Sequence, residues 1–209
     1  MDRLLKLKKR IIEVKYKQGE NHIGSCLTAL PIIAKIYEKM GKKDKFILSA
    51  GHAGVALYTV LEDRGLLPKG VIDKLESHPK RNEKYGIWCS TGSLGHGIGV
   101  ALGMALSDVS KDIYCLLTDG ECAEGSVWEA LTIAEQEGVL NLHVCVNANG
   151  WGGLDDIDVD KLEERLKLFN LDIKVIRTNS NFLDLKGLDA HYKSLTKEQY
   201  EKALCSKTL

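Results

Sequence analysis

Asp119 and Asn149 carry the first chemical signal in this chain, because each stands just beyond an apolar run. Residues 113–117 lead into Thr118-Asp119-Gly120-Glu121, and residues 142–146 lead towards Asn149-Gly150. Between the runs, residues 126–138 repeat apolar side chains at helical spacing and close on Gly138, a stop signal. A strand–helix–strand unit of this kind sets the two polar residues side by side at the carboxyl ends of adjacent strands. That edge is where open parallel α/β sheets bind ligands. One carboxylate, one amide oxygen and a backbone carbonyl make an incomplete shell of hard oxygen donors. Such a shell suits Mg²⁺ when a diphosphate supplies the remaining oxygens. Taken alone, the same two residues also fit ordinary turns after strands.

The elements that must position this pair alternate along the chain. The first residues are basic, lack a continuous apolar core, and read as an amphipathic helix to about Gln18 rather than a signal peptide. A turn at Asn21–Ser25 precedes a helix from about Thr28 to Met40, and residues 44–49 have strand character, ending in Ala50-Gly51-His52. A helix follows from Ala53 to about Asp63. Residues 68–78 read as a linker with a short helix, and residues 81–85 as a charged, exposed loop. Asp158 to Phe169 is amphipathic, with Leu162, Leu166 and Phe169 on one face. Residues 171–177 alternate as a strand, and Thr196 to about Ser206 forms a last helix. The alternation predicts an α/β fold with a parallel sheet flanked by helices. The length, 209 residues, is that of a single domain over 1–209.

Composition narrows the partners. Lysine plus arginine and aspartate plus glutamate each total 29, so net charge points to neither nucleic acid nor an anionic membrane surface. The six cysteines form no C-x-x-C pair and no metal-finger spacing, which fits reduced thiols in a cytoplasmic protein. The longest apolar tract, residues 98–106, is shorter than the roughly 20 residues a membrane span requires. Gly95, Gly97, Gly99, Ala101, Gly103 and Ala105 leave this helix with little side-chain bulk. An interior glycine costs a helix about 1 kcal/mol against alanine, so the pattern needs a packing reason. Another chain's backbone, a cofactor or the protein's own core would each supply one.

Histidines add a second kind of chemistry. His22, His52, His78, His96 and His191 fall in loops or turns at element ends, whereas His143 lies inside a strand and reads as a core or interface residue. Together with the Asp119–Asn149 pair, the segments around them resemble the transketolase family. Thr118-Asp119-Gly120 followed by Asn149 resembles its thiamine diphosphate motif, G-D-G and then N. Glu121, Glu124-Gly125-Ser126, Trp128-Glu129-Ala130 and Asn141-Leu142 fill matching offsets. Asn21-His22-Ile23-Gly24 resembles G-H-P-G, and Leu48-Ser49-Ala50-Gly51-His52 resembles L-S-N-G-H. Ser77-His78-Pro79 resembles G-H-P, and residues 90–97 resemble T-T-G-P-L-G-Q-G. Asp189-Ala190-His191-Tyr192 resembles the late W-H-G or W-H-Y segment.

The resemblance implies a thiamine-diphosphate-binding (PP-type) fold, with thiamine diphosphate and Mg²⁺ (or Ca²⁺) as cofactors. Asp119, Asn149 and the carbonyl of Trp151 would hold the metal. His52, Gly92, Leu94, Asp119, Gly120, Glu121, Asn149 and His191 would contact the cofactor. His22 and His52 would bracket the reacting carbon, His78 would touch the substrate, and His191 would face the diphosphate and the donor oxygen. The family breaks and makes C–C bonds beside a carbonyl, with the cofactor as electron sink. Imidazoles suit the accompanying proton transfers and the stabilisation of oxyanions near neutral pH.

Four positions depart from the family pattern: Thr118 replaces a glycine, Ser93 a proline, His96 a glutamine and Ile23 a proline. These bear on substrate identity more than on cofactor binding. The resemblance starts near residue 10 and reaches only the family's first domain. The pyrimidine-binding domain, with the glutamate that activates the aminopyrimidine, has no counterpart in it. The segment from Asn149 to His191 is also shorter than usual, by on the order of 30 residues. The expected function is therefore the N-terminal subunit of a split, transketolase-like transferase. It would move a two-carbon ketol unit between sugars or sugar phosphates with a separate pyrimidine-domain subunit, in a heterotetramer. A deoxyxylulose-phosphate-synthase-like or other ketol-forming reaction, and a non-catalytic regulatory module of the same fold, are the alternatives.

Overall fold

The computed structural model describes residues 2–153 and 155–208. Strands β1 (Lys45–Leu48), β2 (Ile113–Thr118), β3 (Leu142–Ala148) and β4 (Asp172–Arg177) form a sheet in chain order, and every neighbouring pair is parallel. Parallel neighbours must be joined by crossovers, which helices provide. Helices α1 (Arg3–Gln18), α2 (Ile23–Lys39) and α3 (Gly54–Asp63) cover one face. Helices α4 (His96–Ser107), α5 (Gly125–Gln136) and α6 (Val159–Leu166) cover the other. The short α7 (Asp189–Tyr192) and α8 (Lys197–Cys205) join the first layer.

The two faces divide the strand residues between them. On β2, Leu116 packs into the α1–α3 layer, whereas Cys115 and Leu117 pack into the α4–α6 layer. A strand buried on both sides reads as a near-continuous apolar run, as β2 and residues 144–146 of β3 do. At the sheet edge, β4 is partly exposed and its sequence alternates instead. Local chemistry fixes the helix ends. The Asp2 carboxylate accepts from Leu4 N at 3.3 Å to start α1, and Gly19, at φ 66°, stops it. Asn141 ties the other end of the sheet together: its Nδ2 donates to the carbonyls of Ala105, Asp108 and Lys111 at 3.1, 3.2 and 2.8 Å.

Several elements differ from the sequence expectation. Helix α2 begins at Ile23 rather than near Thr28. Gly24 and Ser25 have turn character, but Gly24 is packed so closely that a β-carbon there would lie 2.7 Å from the Ser180 carbonyl oxygen. That tertiary contact overrides local preference. Helix α6 ends at Leu166 instead of Phe169, whose ring still lies 6.1 Å from that of Trp128. The linker helix is a single 3-10 turn, Ile72–Lys74, and the charged loop holds another, Glu83–Tyr85. His191 lies within α7 and His96 opens α4, so neither is a loop residue.

His143 is hydrogen-bonded through Nδ1 to Asp172 (2.6 Å) and through Nε2 to Asp112 (3.1 Å), and it stacks on Tyr114. Asp172 opens β4 and Asp112 precedes β2, so this cluster sits at the amino end of the sheet, opposite Asp119. The small residues of α4 split by face. A β-carbon on Gly97 would meet Ser49 Cα at 2.6 Å, whereas Gly99 and Gly103 face open space beside exposed Val100 and Leu106. Among the described residues, no helix is long and apolar enough to cross a membrane.

Candidate functional site

The loops that leave β1, β2 and β3 meet at one edge of the sheet. His22 at the start of α2 and His191 in α7 close that edge from the side. Between them lies a cleft of about 110 Å³, bordered by His22, His52, Leu94, Thr118, Gly120, Asn149, Trp151, His191 and Tyr192. A larger groove of about 350 Å³ runs between α2 and β3–β4 beside His143. It reflects the thinly covered edge of the sheet, whereas the smaller cleft gathers three imidazoles with Asn149 and the residues on either side of Asp119.

Asp119 lies between the lining residues Thr118 and Gly120 and is itself buried, 1% exposed. Its Oδ2 accepts from Gly150 N at 2.6 Å and its Oδ1 from Gly120 N at 3.1 Å. Burial pushes its pKa up to about 6, and the donors of Gly150 and Gly120 oppose that shift. Asn149 Oδ1 accepts from Trp151 N at 3.0 Å. A β-carbon on Gly120 would lie 3.4 Å from Gly152 Cα and 3.6 Å from the Trp151 carbonyl oxygen. The loops after β2 and β3 are therefore in contact, and Asp119, Asn149 and the Trp151 carbonyl share one corner.

These are hard oxygen donors with a single ionisable group. Among the described residues there is no cluster of three or more His, Cys, Asp or Glu side chains able to hold a metal. The donor set fits Mg²⁺ or Ca²⁺ that takes its other oxygens from a diphosphate. A buried carboxylate whose named partners are backbone N–H groups is the residue such a cation would compensate.

Glu121 lies beneath the cleft and no part of it reaches solvent. Its Oε1 accepts from Ser49 Oγ (2.6 Å) and Gly95 N (3.1 Å), and its Oε2 from Thr118 N (3.1 Å). Burial raises its pKa, and these three donors oppose the rise. One carboxylate thus joins the ends of β1 and β2 to the segment that opens α4. Thr118, where the family pattern has glycine, joins the same network: its Oγ1 accepts from Glu121 N at 3.3 Å. Gly92 packs on His78, with a β-carbon position 3.2 Å from His78 Cδ2, and Leu94 stands exposed at the cleft mouth.

His22 adopts φ 62°, a left-handed conformation that few non-glycine residues take. Its N–H donates to the His191 carbonyl at 2.7 Å. Its ring centroid lies 5.0 Å from that of His52, 6.4 Å from that of His191 and 6.0 Å from that of Tyr192. His191 Nδ1 shares a 2.9 Å hydrogen bond with Ser25 Oγ. Buried His22 Nδ1 and His191 Nε2 have no protein partner. Burial, then the charges of Lys15, His191 and His78, lower the His22 pKa to about 4. Burial, then His22, His191, His78 and Lys15, lower that of His52 to about 3, and burial lowers that of His191. All three are neutral at neutral pH, each with one nitrogen to donate and one to accept. His78 stands on an exposed turn nearby.

Sequence reasoning missed Lys15, Ser25 as the partner of His191, and Ser49 as the partner of Glu121. Ser25 and His191 are 166 positions apart, and no local pattern reports such a pairing.

The family described as "Transketolase, thiamine diphosphate binding domain" matches residues 12–181. The chain belongs to the transketolase family. An apulose-4-phosphate transketolase subunit of Phocaeicola vulgatus is 34% identical, over 69% of this chain and 58% of that protein. The 6-deoxy-6-sulfo-D-fructose transketolase subunit of Clostridium sp. (strain MSTE9) is 34% identical, over 61% and 54%. Transketolase of Homo sapiens is 33% identical, over 69% and 26%. The chain therefore spans 58% or less of the length of these relatives. The solved transketolase of Leishmania mexicana has the same fold, with a TM-score of 0.75 at 17% identity, covering 97% of this chain and 41% of that one. Thiamine diphosphate is the cofactor of the transketolase domain that this chain carries.

Proposed function

We propose that this chain is the diphosphate-binding subunit of a split transketolase, transferring a two-carbon ketol unit from a ketose or ketose phosphate to an aldose acceptor. The observation that carries the reading is the set of three neutral imidazoles, His22, His52 and His191, sharing one cleft with Asn149 and the strand end at Asp119. Two of its relatives are themselves named as transketolase subunits, which supports the split arrangement. A non-catalytic module would have little use for buried imidazole nitrogens left without partners.

Thiamine diphosphate, when bound, supplies an electron sink beside the sugar's carbonyl carbon. In this reading Asp119, Asn149 and the Trp151 carbonyl hold Mg²⁺ or Ca²⁺ against the diphosphate. When Ser25 donates to His191 Nδ1, the ring proton sits on Nε2, where it can be given to a diphosphate or donor oxygen. His22 and His52, neutral and 5.0 Å apart, accept and return the proton of a sugar hydroxyl. His78 orients the substrate from the rim, and Leu94 keeps water from the mouth. The partner is a separate pyrimidine-domain polypeptide that brings the activating glutamate, in a heterotetramer. It would cover the exposed face of α4 at Gly99, Val100, Gly103 and Leu106. Six free thiols fit a reducing, cytoplasmic setting.

The test is reconstitution with a pyrimidine-domain polypeptide encoded beside this chain, Mg²⁺ and thiamine diphosphate, following ketol transfer among a panel of ketoses and aldoses. The mixture is expected to turn over and the chain alone to be inactive. Robust turnover by the isolated chain would overturn the split-enzyme reading. An inactive pair with cofactor bound would favour another donor or a non-catalytic role.

A further inference from the structure

Lys15 lies on the apolar stripe of α1 beside Ile11, Ile12 and Val14, and none of its side chain reaches solvent. An ammonium is tolerated in such a place only when its protons find partners. Lys15 Nζ donates to Ser77 Oγ at 2.8 Å and pairs with Glu20 Oε2 at 3.3 Å. An apolar residue would fill the same space without this desolvation, so packing alone does not account for the lysine.

Ser77 directly precedes His78. A β-carbon on Gly54 would stand 2.1 Å from the Ser77 carbonyl oxygen, so the turn is pressed onto the start of α3 with no slack. Beyond it, His78 packs on Gly92, and Thr91 N donates to the Pro79 carbonyl at 3.2 Å. The ammonium thus anchors a turn that carries one histidine and braces the segment leading to Leu94.

We propose that Lys15 is a positioning residue for the histidine cluster: its buried ammonium holds the 77–79 turn against α1 and α3, and so sets where His78 stands beside His22 and His52. The same charge bears on the rings. His22 is faced by His52 from the turn after β1, by His191 and Tyr192 from α7, by His78, and by Lys15 with its partner Glu20 from the end of α1. After burial, Lys15 contributes most to keeping His22 unprotonated, and it acts on His52 in the same direction. The catalytic meaning of this arrangement rests on the ketol-transfer reading.

The experiment follows assigned imidazole signals by NMR through an acid titration of the full chain carrying labelled histidine, with K15M, K15R and S77A beside the parent. In K15M the His78 signal is expected to move and the His22 midpoint to rise by about half a pH unit or more. His143, held by Asp112 and Asp172 at the far end of the sheet, should stay in place. K15R keeps the charge and should leave the His22 midpoint near the parent value. Unmoved His78 and His22 signals in folded K15M would overturn the proposal. If K15M does not fold, S77A decides, because it removes only the hydroxyl: a displaced His78 signal supports the anchor and an unchanged one refutes it. These signals need no turnover, so an inactive reconstituted pair would sink the ketol-transfer reading and leave this one standing.

Discussion

The rings of His22 and His52 stand 5.0 Å apart, tilted by 42°, with His22 held there by a left-handed backbone and by its N–H on the His191 carbonyl. Burial first, and for His52 the neighbouring His22 next, keeps both rings neutral, so each has one nitrogen to accept a hydrogen bond from a substrate hydroxyl.

Keeping these buried rings neutral has a measurable effect on stability. The folded values, about 4 for His22 and about 3 for His52, lie below the unfolded histidine value of about 6.5. The unfolded chain therefore takes up protons first as the pH falls. The stability owed to the neutral pair is complete above about pH 6.5 and is lost as the pH drops towards 4 and then 3. Each ring gives a slope of at most about 1.4 kcal/mol per pH unit. Asp119 acts in the opposite sense: its contribution is complete below the unfolded value near 3.8 and is lost as the pH rises through about 6. Urea unfolding of the parent and of His52→Asn, followed from about pH 7 down to about pH 4, isolates the His52 share. The variant should show the flatter loss, and identical slopes would contradict the assignment.

We predict that Asp119→Ala removes metal-dependent cofactor binding. Calorimetry on the assembled complex should show no heat for thiamine diphosphate with Mg²⁺, matching the parent after chelation of the metal. Asn149→Ala, which takes away one neutral donor, should weaken binding rather than abolish it. Parental affinity in the Asp119 variant would remove that residue from the metal site.

Glu121→Ala should act first on stability. It strands the Ser49 hydroxyl and the Gly95 and Thr118 amides in a buried site, at about 1–3 kcal/mol for each unsatisfied group. A fall in thermal midpoint is expected, with weaker cofactor binding because the segment before α4 loosens. A variant as stable as the parent would show that the three donors find other partners.

The two kinds of glycine on α4 should respond differently. Gly103 faces open space, so Gly103→Leu should leave the isolated chain as stable as before, or up to about 1 kcal/mol more stable from helix propensity. Sedimentation of the mixture with the partner should then shift towards free subunits. Gly97 abuts Ser49 at the end of β1, so Gly97→Ala should destabilise the chain on its own. Normal assembly of Gly103→Leu would place the partner elsewhere.

The central part of the fold could be read from residues because each signal there is local. The apolar runs of β2 and β3 and the stop at Gly138 place Asp119 and Asn149 on adjacent strand ends, as the sheet does. The start of α2 could not be read, because Gly24 answers to Ser180 and not to its neighbours. The role of Glu121 was hidden in a similar way: a carboxylate at a strand end can point outward to a ligand or inward to donors, and Ser49 and Gly95 supply the donors here. Lys15 was invisible for a third reason. A lysine in a basic, amphipathic helix looks like part of a solvated face, and only the packing of α1 against α2 and α3 turns it inward.

The contact of His22 and Ser25 with His191 also bears on biogenesis. A nascent chain emerging from the ribosome can assemble α1, α2 and the first strands early, yet the inner wall of the cleft awaits a residue 166 positions beyond Ser25. Closing so long a loop costs entropy before the contact repays it, which slows folding. The inner wall of the pocket is thus unmade until residue 191 has left the ribosome and its ring has reached Ser25.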